Sequence, residues 1–480
     1  MTSPATGARL VPRPRVPGAS LRAVRVDAPR AAPEVFLQLA AQSFRECEPV
    51  GHLWSPADGM QCAGWGAARR FEDAIDRLAE GASGLWSELA DVDPLALRLY
   101  GGFAFDPEAD PGRRAANGSA WGDFGAGSFV LPRVGYVAEA ESAYVYAVLE
   151  GAEVAARPLW RQRLLRLADE LDAGNQPASR ANGSVGAAGA GDAAPDLPAL
   201  PEILRSFDLP ATEEWLRRVE ELRGEVSDGR LEKVVAARTV ELDLGRPFGI
   251  RDLGRIVERL RRHMPTCTCF SFLRGGSIFF GATPELLVRR RGRLIETLAL
   301  AGSIASDPSP AKRRELERRL LASAKDRLEH DLVVRYLVER LDTSCGAAAP
   351  RSLPGVRVLR NVLHLETPIR AALAEAAEPP HVLRLVSALH PTPAVAGSPT
   401  TGALEAIRRS EERDRGWYAG PVGWFDGRGD GEFSVALRSC LATGRKGLLY
   451  SGAGIVADSD PDRELIETNL KLDAILGAWD

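Results

Sequence analysis

Between Cys267 and Ala301 the chain repeats one pattern, a short apolar run followed by a tight turn. Cys267–Leu273, Ser277–Gly281, Pro284–Arg290 and Leu294–Ala301 read as strands, with Gly275-Gly276 and Gly292 between them. Parallel neighbours need a crossover of a dozen or more residues, so turns this short dictate antiparallel pairing. The pattern returns at Gly416–Asp426, Glu432–Ala442 and Gly447–Val456, joined by Gly427-Arg-Gly-Asp-Gly and Gly444-Arg-Lys. Helical periodicity is kept apart from these runs. Trp215, Val219, Leu222 and Val226 recur at helical spacing behind a Thr212 cap, with Gly229 as the stop. Helices are also expected at about 310–322 and 324–341, and from Asp460-Pro461 onward. Consecutive hairpins with segregated helices predict an α+β fold with large antiparallel sheets, not a doubly wound parallel one.

A chain of 480 residues exceeds what one compact core usually serves, so one elaborated domain or two are expected. Residues 172–210, rich in Gly, Ala, Ser, Asn and Pro, read as a flexible insertion between an amino-terminal part (34–171) and a denser part (211–480). Residues 1–33 carry six arginines and one aspartate without a signal-like apolar core, and read as a frayed leader. A net charge of −4 gives no reason to expect nucleic acid or an anionic membrane as partner. No apolar run approaches the ~20 residues of a membrane span. The six cysteines are scattered, Cys267-Thr-Cys269 being too tight for a zinc pair, and they read as reduced thiols of a cytoplasmic protein. A monomer is the default expectation.

Of 61 basic residues only five are lysine: Lys233, Lys312, Lys325, Lys446 and Lys471. Guanidinium stays protonated, whereas a buried or crowded ammonium can give up its proton, so only lysine can serve as a base. Lys312 and Lys446 sit in ordinary charged contexts. Lys233 is carried by a strand read over Leu231–Leu244, and Lys471 lies on the last helix, where Glu464, Glu467 and Lys471 fall within about 60° on one face. Taken alone, that stripe reads first as a solvated ion-pair face. Glu329, in Lys325-Asp-Arg-Leu-Glu-His330, supplies an acid from another helix, and carboxylates meeting from separate helices are how Mg²⁺ is commonly held. Ser451-Gly-Ala-Gly454 could let backbone amides close on an anion or could be a plain bulge. Arg438 is a candidate carboxylate clamp or an edge-of-sheet ion pair. Arg289-Arg-Arg-Gly-Arg293 reads as a solvated hairpin turn and not a nucleic-acid patch.

Taken together these segments resemble the chorismate-utilising enzymes, and among them the isochorismate synthases. The likeness rests on Glu232-Lys-Val-Val-Ala-Ala-Arg, Phe280-Gly-Ala-Thr-Pro-Glu-Leu-Leu, Leu298-Ala-Leu-Ala-Gly-Ser, Ser323-Ala-Lys-Asp-Arg-Leu-Glu-His, Leu389-His-Pro-Thr-Pro-Ala-Val, Gly420-Pro-Val-Gly-Trp, Phe433-Ser-Val-Ala-Leu-Arg, Ser451-Gly-Ala-Gly-Ile-Val and Glu464-Leu-Ile-Glu-Thr. Gly101-Gly-Phe-Ala-Phe-Asp-Pro and Leu131-Pro-Arg look like the first half of the same fold.

The resemblance implies one structural unit, two antiparallel sheets packed together with helices outside and the site between them. It implies Lys233 as the base that activates water for addition at C2 of chorismate, and Glu285 as the acid that protonates the departing C4 hydroxyl. Glu329, Glu467 and Glu464 would hold Mg²⁺ at the ring carboxylate, with Gly452 and Gly454 amides around it. Arg438 and Lys471 would grip the enolpyruvyl carboxylate, and Tyr418, Gly302, Ser303 and His390 would line the substrate. Family members that use ammonia usually carry glutamine where Lys233 stands, so no glutaminase subunit is expected. Salicylate synthases share the lysine and go on to expel pyruvate, but His390-Pro-Thr-Pro-Ala-Val is more like plain isochorismate synthases.

Overall fold

The computed structural model describes residues 21–73, 75, 77–78, 97–106, 120–175, 199–345, 353–373 and 379–479. Numbered along the chain, eleven strands pair into a first antiparallel sheet. Its order is β1 (Arg22–Asp27), β6 (Ala143–Leu149), β5 (Gly127–Ala138), β3 (Gln61–Glu72), β2 (Gly51–Ser55), β9 (Thr268–Arg274), β10 (Ser277–Thr283), β18 (Ser439–Thr443), β19 (Lys446–Ile455), β8 (Lys233–Leu244) and β7 (Ile203–Leu209). A second runs β4 (Arg98–Phe103), β16 (Pro421–Asp426), β17 (Gly431–Val435), β11 (Leu286–Arg291), β12 (Leu294–Ala305), β14 (Val362–Ala372) and β13 (Gly355–Val358), also antiparallel. Strand β5 belongs to both: Gly127–Val130 pairs with β4, while Val134–Ala138 pairs with β6. The short β15 (Gly397–Ser398) pairs with the start of β8.

Alternation along each strand sorts the apolar side chains between two cores. On β10, Phe279 faces inward, with Phe270 and Phe272 of β9, Phe129 of β5 and Phe433 of β17. Its neighbours Ile278 and Phe280 face outward. There they meet Phe36 and Leu37 of α1 (Pro33–Ser43), Leu164 and Leu167 of α2 (Arg157–Asn175), and Leu253, Ile256, Val257 and Leu260 of α4 (Ile250–His263). That last spacing is the apolar stripe of an amphipathic helix. Fully burying one such side chain contributes about 1.5–3 kcal/mol. Helix α3 (Thr212–Ser227) packs on α9 (Pro461–Leu476), which lies on β19. Helices α5 (Pro310–Ala322) and α6 (Ala324–Cys345) cover β12 and β14, and α7 (Val382–Leu389) and α8 (Thr400–Ser410) complete the set among the described residues.

The α+β expectation holds, and several local readings are corrected. Leader residues 22–27 are strand β1, and α1 begins at Pro33. The expected insertion is narrower than 172–210, because α2 runs to Asn175 and Ile203–Leu209 is β7; residues 176–198 lie outside the described set. Thr212 is the first residue of α3, whose cap position is Ala211 with no side-chain bond. The final helix does start as expected, with the Asp460 carboxylate accepting from the Arg463 amide at 3.0 Å. The Arg289–Arg293 turn is less solvated than expected, since Arg290 is buried and Arg289 pairs with Glu432 at 2.6 Å.

The run Glu432–Ala442 is not one strand. It leaves the second sheet at Val435 and enters the first at Ser439, and Arg438 at the crossing takes φ +48°. A second segment of the chain crosses at the same level, from Thr283 of β10 to Leu286 of β11, with Glu285 in the gap. Backbone bonds tie the two crossings: Ala282 N donates to Arg438 O (3.1 Å) and Val435 N to Glu285 O (3.1 Å). A residue between sheets belongs to neither pleat, so both polar side chains can turn into the interior that strand positions would fill with apolar groups.

Candidate active site

Beside the crossings lies a cavity of ≈ 760 Å³ including its mouth. Glu285, Gly302, Ser303, Glu329, Tyr418, Arg438, Gly452, Gly454, Glu467 and Lys471 all line it, together with His364 and Arg415. The Glu285 carboxyl is 5% exposed, and burial pushes its pKa up to about 8, against the pull of Lys233, Lys471 and Arg438. It is therefore a carboxylic acid at neutral pH, able to donate a proton.

Lys233, 1% exposed, opens β8 with its Nζ 2.8 Å from Glu329 Oε1 of α6. Gly454 makes room for this pair, because a Cβ there would stand 2.7 Å from Glu329 Oε1 and 2.8 Å from Lys233 Cε. Lys471 Nζ donates to Glu467 Oε1 (2.7 Å) and to the carbonyl of Gly452 (2.9 Å). Although burial alone raises Glu467, Lys471, Ser303 and Lys325 hold its carboxyl below the ordinary value. Gly302 forms a bulge in β12 at φ +75°, where a Cβ would press on Asp326 at 3.0 Å. What Gly302, Gly452 and Gly454 visibly supply is absence of bulk.

Arg438 is 7% exposed and has no carboxylate within ion-pair distance among the described residues. Its Nη2 donates to His364 Nε2 at 2.8 Å. Burial, then Arg438 and Lys471, hold His364 far below its ordinary value, so the ring is neutral and Nε2 is the acceptor. A buried guanidinium without a counter-ion is costly, and an anion entering the cavity offsets that cost. Tyr418 stacks on Tyr450 at 5.0 Å, beside Ala419 at φ +59°. The two non-glycine residues with positive φ among the described ones, Ala419 and Arg438, both stand in this wall, where strain commonly concentrates.

Two sequence expectations do not fall on the wall. His390 caps α7 and turns away, its Nε2 2.9 Å from the Phe105 carbonyl; burial pushes it down to about 4, and its neighbours Ala394 and Val395 reach the cavity instead. Glu464 lies behind Glu467, 3% exposed, its Oε1 3.4 Å from Lys325 Nζ. Burial, then the Glu467 charge, raises its pKa.

Three lining or flanking residues escaped the sequence reading. His364 alternates with buried Leu363 and Leu365 and looks like a solvent-side strand residue. Arg415 ends a charged run that looks solvated, yet it is buried, paired with Glu411 at 2.5 Å and bonded to the Val235 carbonyl at 2.7 Å. Lys325, named in the sequence only as part of the Glu329 motif, stands against Glu464 of the other helix.

No three acidic, histidine or cysteine side chains among the described residues converge into a ready cage. The donor chemistry nonetheless fits a hard divalent cation. Glu329 of α6 and Glu464 and Glu467 of α9 lie close enough that the other two charges raise Glu464, and a lysine stands against each of the three.

A cavity lined by a neutral acid, a buried guanidinium without an ion-pair partner and two lysine-paired carboxylates, with Lys233 and Glu464 buried beside it, has the makings of an enzyme site for a small anionic substrate. A family model described as chorismate binding enzyme matches residues 22–479, and the chain belongs to that family. It is 38% identical over 419 residues to the salicylate biosynthesis isochorismate synthase of Pseudomonas aeruginosa, covering 86% of this chain and 81% of that protein. It is 31% identical over 399 residues to isochorismate synthase MenF of Bacillus subtilis, covering 79% and 74%. The fold matches the menaquinone-specific isochorismate synthase MenF of Escherichia coli with a TM-score of 0.74 at 26% identity, over 96% of this chain and 95% of that one.

Proposed function

We infer that the protein converts chorismate to isochorismate, adding water at C2 as the C4 hydroxyl departs and the ring double bonds shift. The observation that carries this reading is Glu285, neutral at pH 7 in the cavity wall, with the buried Lys233 close enough that its charge acts on that carboxyl. Isochorismate synthases similar to this chain support it.

In this reading Lys233 takes a proton from the attacking water and Glu285 gives one to the leaving hydroxyl, which departs as water. One water enters and one leaves, and exchange with solvent resets both groups. Arg438 and Lys471 hold the enolpyruvyl carboxylate, and His364, neutral and bonded to Arg438, keeps the guanidinium aimed. Tyr418, stacked on Tyr450, closes the same end against water. Glu329 and Glu467, with Glu464 behind, would hold Mg²⁺, which supplies positive charge for the ring carboxylate. The amine at 233 argues for water as nucleophile and for a chain that works without a glutaminase partner.

The test is purified protein with chorismate, with and without added Mg²⁺, and products resolved by chromatography. Isochorismate appearing only with Mg²⁺ is expected. Salicylate and pyruvate accumulating without a second enzyme would replace this reading by a salicylate synthase, and no turnover would leave only a binding protein. The product would feed menaquinone or a catecholate siderophore, and genes adjoining this one discriminate between the two.

A further inference from the structure

The three carboxylates assigned to the cation are each matched by one lysine, and those three are drawn from only five in the chain. The pairs are not alike. Lys233 is 1% exposed and enclosed by β8 and α6, and Lys471 has a second bond to the Gly452 carbonyl. Lys325 has one hydrogen-bond partner among the described residues, Glu464 at 3.4 Å, and its side chain is 38% exposed. It reaches from the first turn of α6 to the first turn of α9, so it bridges the two helices that supply the carboxylates.

We propose that Lys325 is a displaceable counter-cation: it neutralises Glu464 and its acidic neighbours in the metal-free protein and swings into solvent when a divalent cation takes its place. The inference rests on the Mg²⁺ reading above. Three features single this lysine out. Its side chain is the most exposed of the three and its ion pair the longest, so leaving costs least. Glu464, at 5% side-chain exposure, has little access to water, so its ionised form is favoured by a cation close by. The Lys325 charge also acts on Asp326 and Glu467, as a mobile stand-in for a shared ion would. An orienting lysine and a competing lysine predict opposite signs. If Lys325 positions Glu464 for the metal, removing it weakens metal binding; if it competes, removing it strengthens binding.

The experiment is thermal melting of the wild type, Lys325→Met and Lys325→Arg against magnesium chloride at constant ionic strength. The wild type should melt higher as Mg²⁺ is added. Lys325→Met should melt lower than wild type without Mg²⁺, and its rise should reach half-maximum at a Mg²⁺ concentration lower by roughly fivefold or more, the ratio expected for loss of one partly exposed like charge. Lys325→Arg keeps the charge and should follow the wild type. A Lys325→Met midpoint equal to or above that of the wild type overturns the proposal while leaving the metal reading intact. A wild type indifferent to Mg²⁺ removes the metal reading, and this inference with it.

Discussion

Replacing Glu285 with glutamine keeps the shape of the protonated acid and removes its proton, so the variant separates what that carboxyl does for stability from what it does for chemistry. Burial lifts the folded-state pKa from the ordinary 4.5 to about 8. A carboxyl raised on folding costs nothing below pH 4.5, where both states are protonated. The cost grows as pH rises, because the unfolded chain ionises and the folded one does not, and it is complete above pH 8. At 1.36 kcal/mol per pH unit the whole effect is roughly 3–5 kcal/mol. Glu285→Gln lacks this burden, so its advantage over wild type in denaturant unfolding should widen between about pH 5 and 8 and level off above that. Turnover should move the other way. Loss of a positioned acid lowers kcat by ~10²- to 10⁴-fold, while KM changes little because the amide fills the same space. Wild-type turnover should also fall above about pH 8 as Glu285 ionises. Unfolding curves of the two proteins that stay parallel across this range would show that Glu285 is not a buried neutral acid, and the assignment of general acid would go with it.

Lys233→Arg preserves a cation beside Glu329 but not a base, so it should lose at least ~100-fold in turnover, as should Lys233→Ala; substantial activity in the arginine variant would refute the base assignment. Gly454→Ala places a methyl 2.7 Å from Glu329 Oε1 and should cut turnover while circular dichroism stays that of the wild type. Arg438→Met removes the uncompensated cation of the cavity and should raise KM for chorismate by tenfold or more; an unchanged KM would place the enolpyruvyl carboxylate elsewhere. Glu411→Ala leaves Arg415 buried without its counter-ion and should cost about 3–5 kcal/mol in denaturant unfolding, a loss expected whatever the substrate.

Antiparallel sheets with separate helices were legible in the chain because turn length and period-two alternation are local properties. So was the gathering of Glu285, Glu329, Glu467 and Lys471 around one cavity with Lys233 paired to Glu329, since each stands in a recognisable motif. What stayed hidden depends on which strands become neighbours. The run through Arg438 reads as one strand because each residue suits a strand; only pairing with β16 and β11 on one side and with β10 and β19 on the other breaks it between two sheets. His390 shares a motif with wall residues, but the direction of a side chain at a helix end is set by the nearest acceptor, here the Phe105 carbonyl. His364 and Arg415 look solvated in the chain and are buried in the fold, because partners 74 and 4 residues away compensate them. Local chemistry is written in the order of the residues. Which charge ends up facing which carboxylate is decided when distant strands and helices close on a common interior, where removal from water turns every unmatched charge into a constraint.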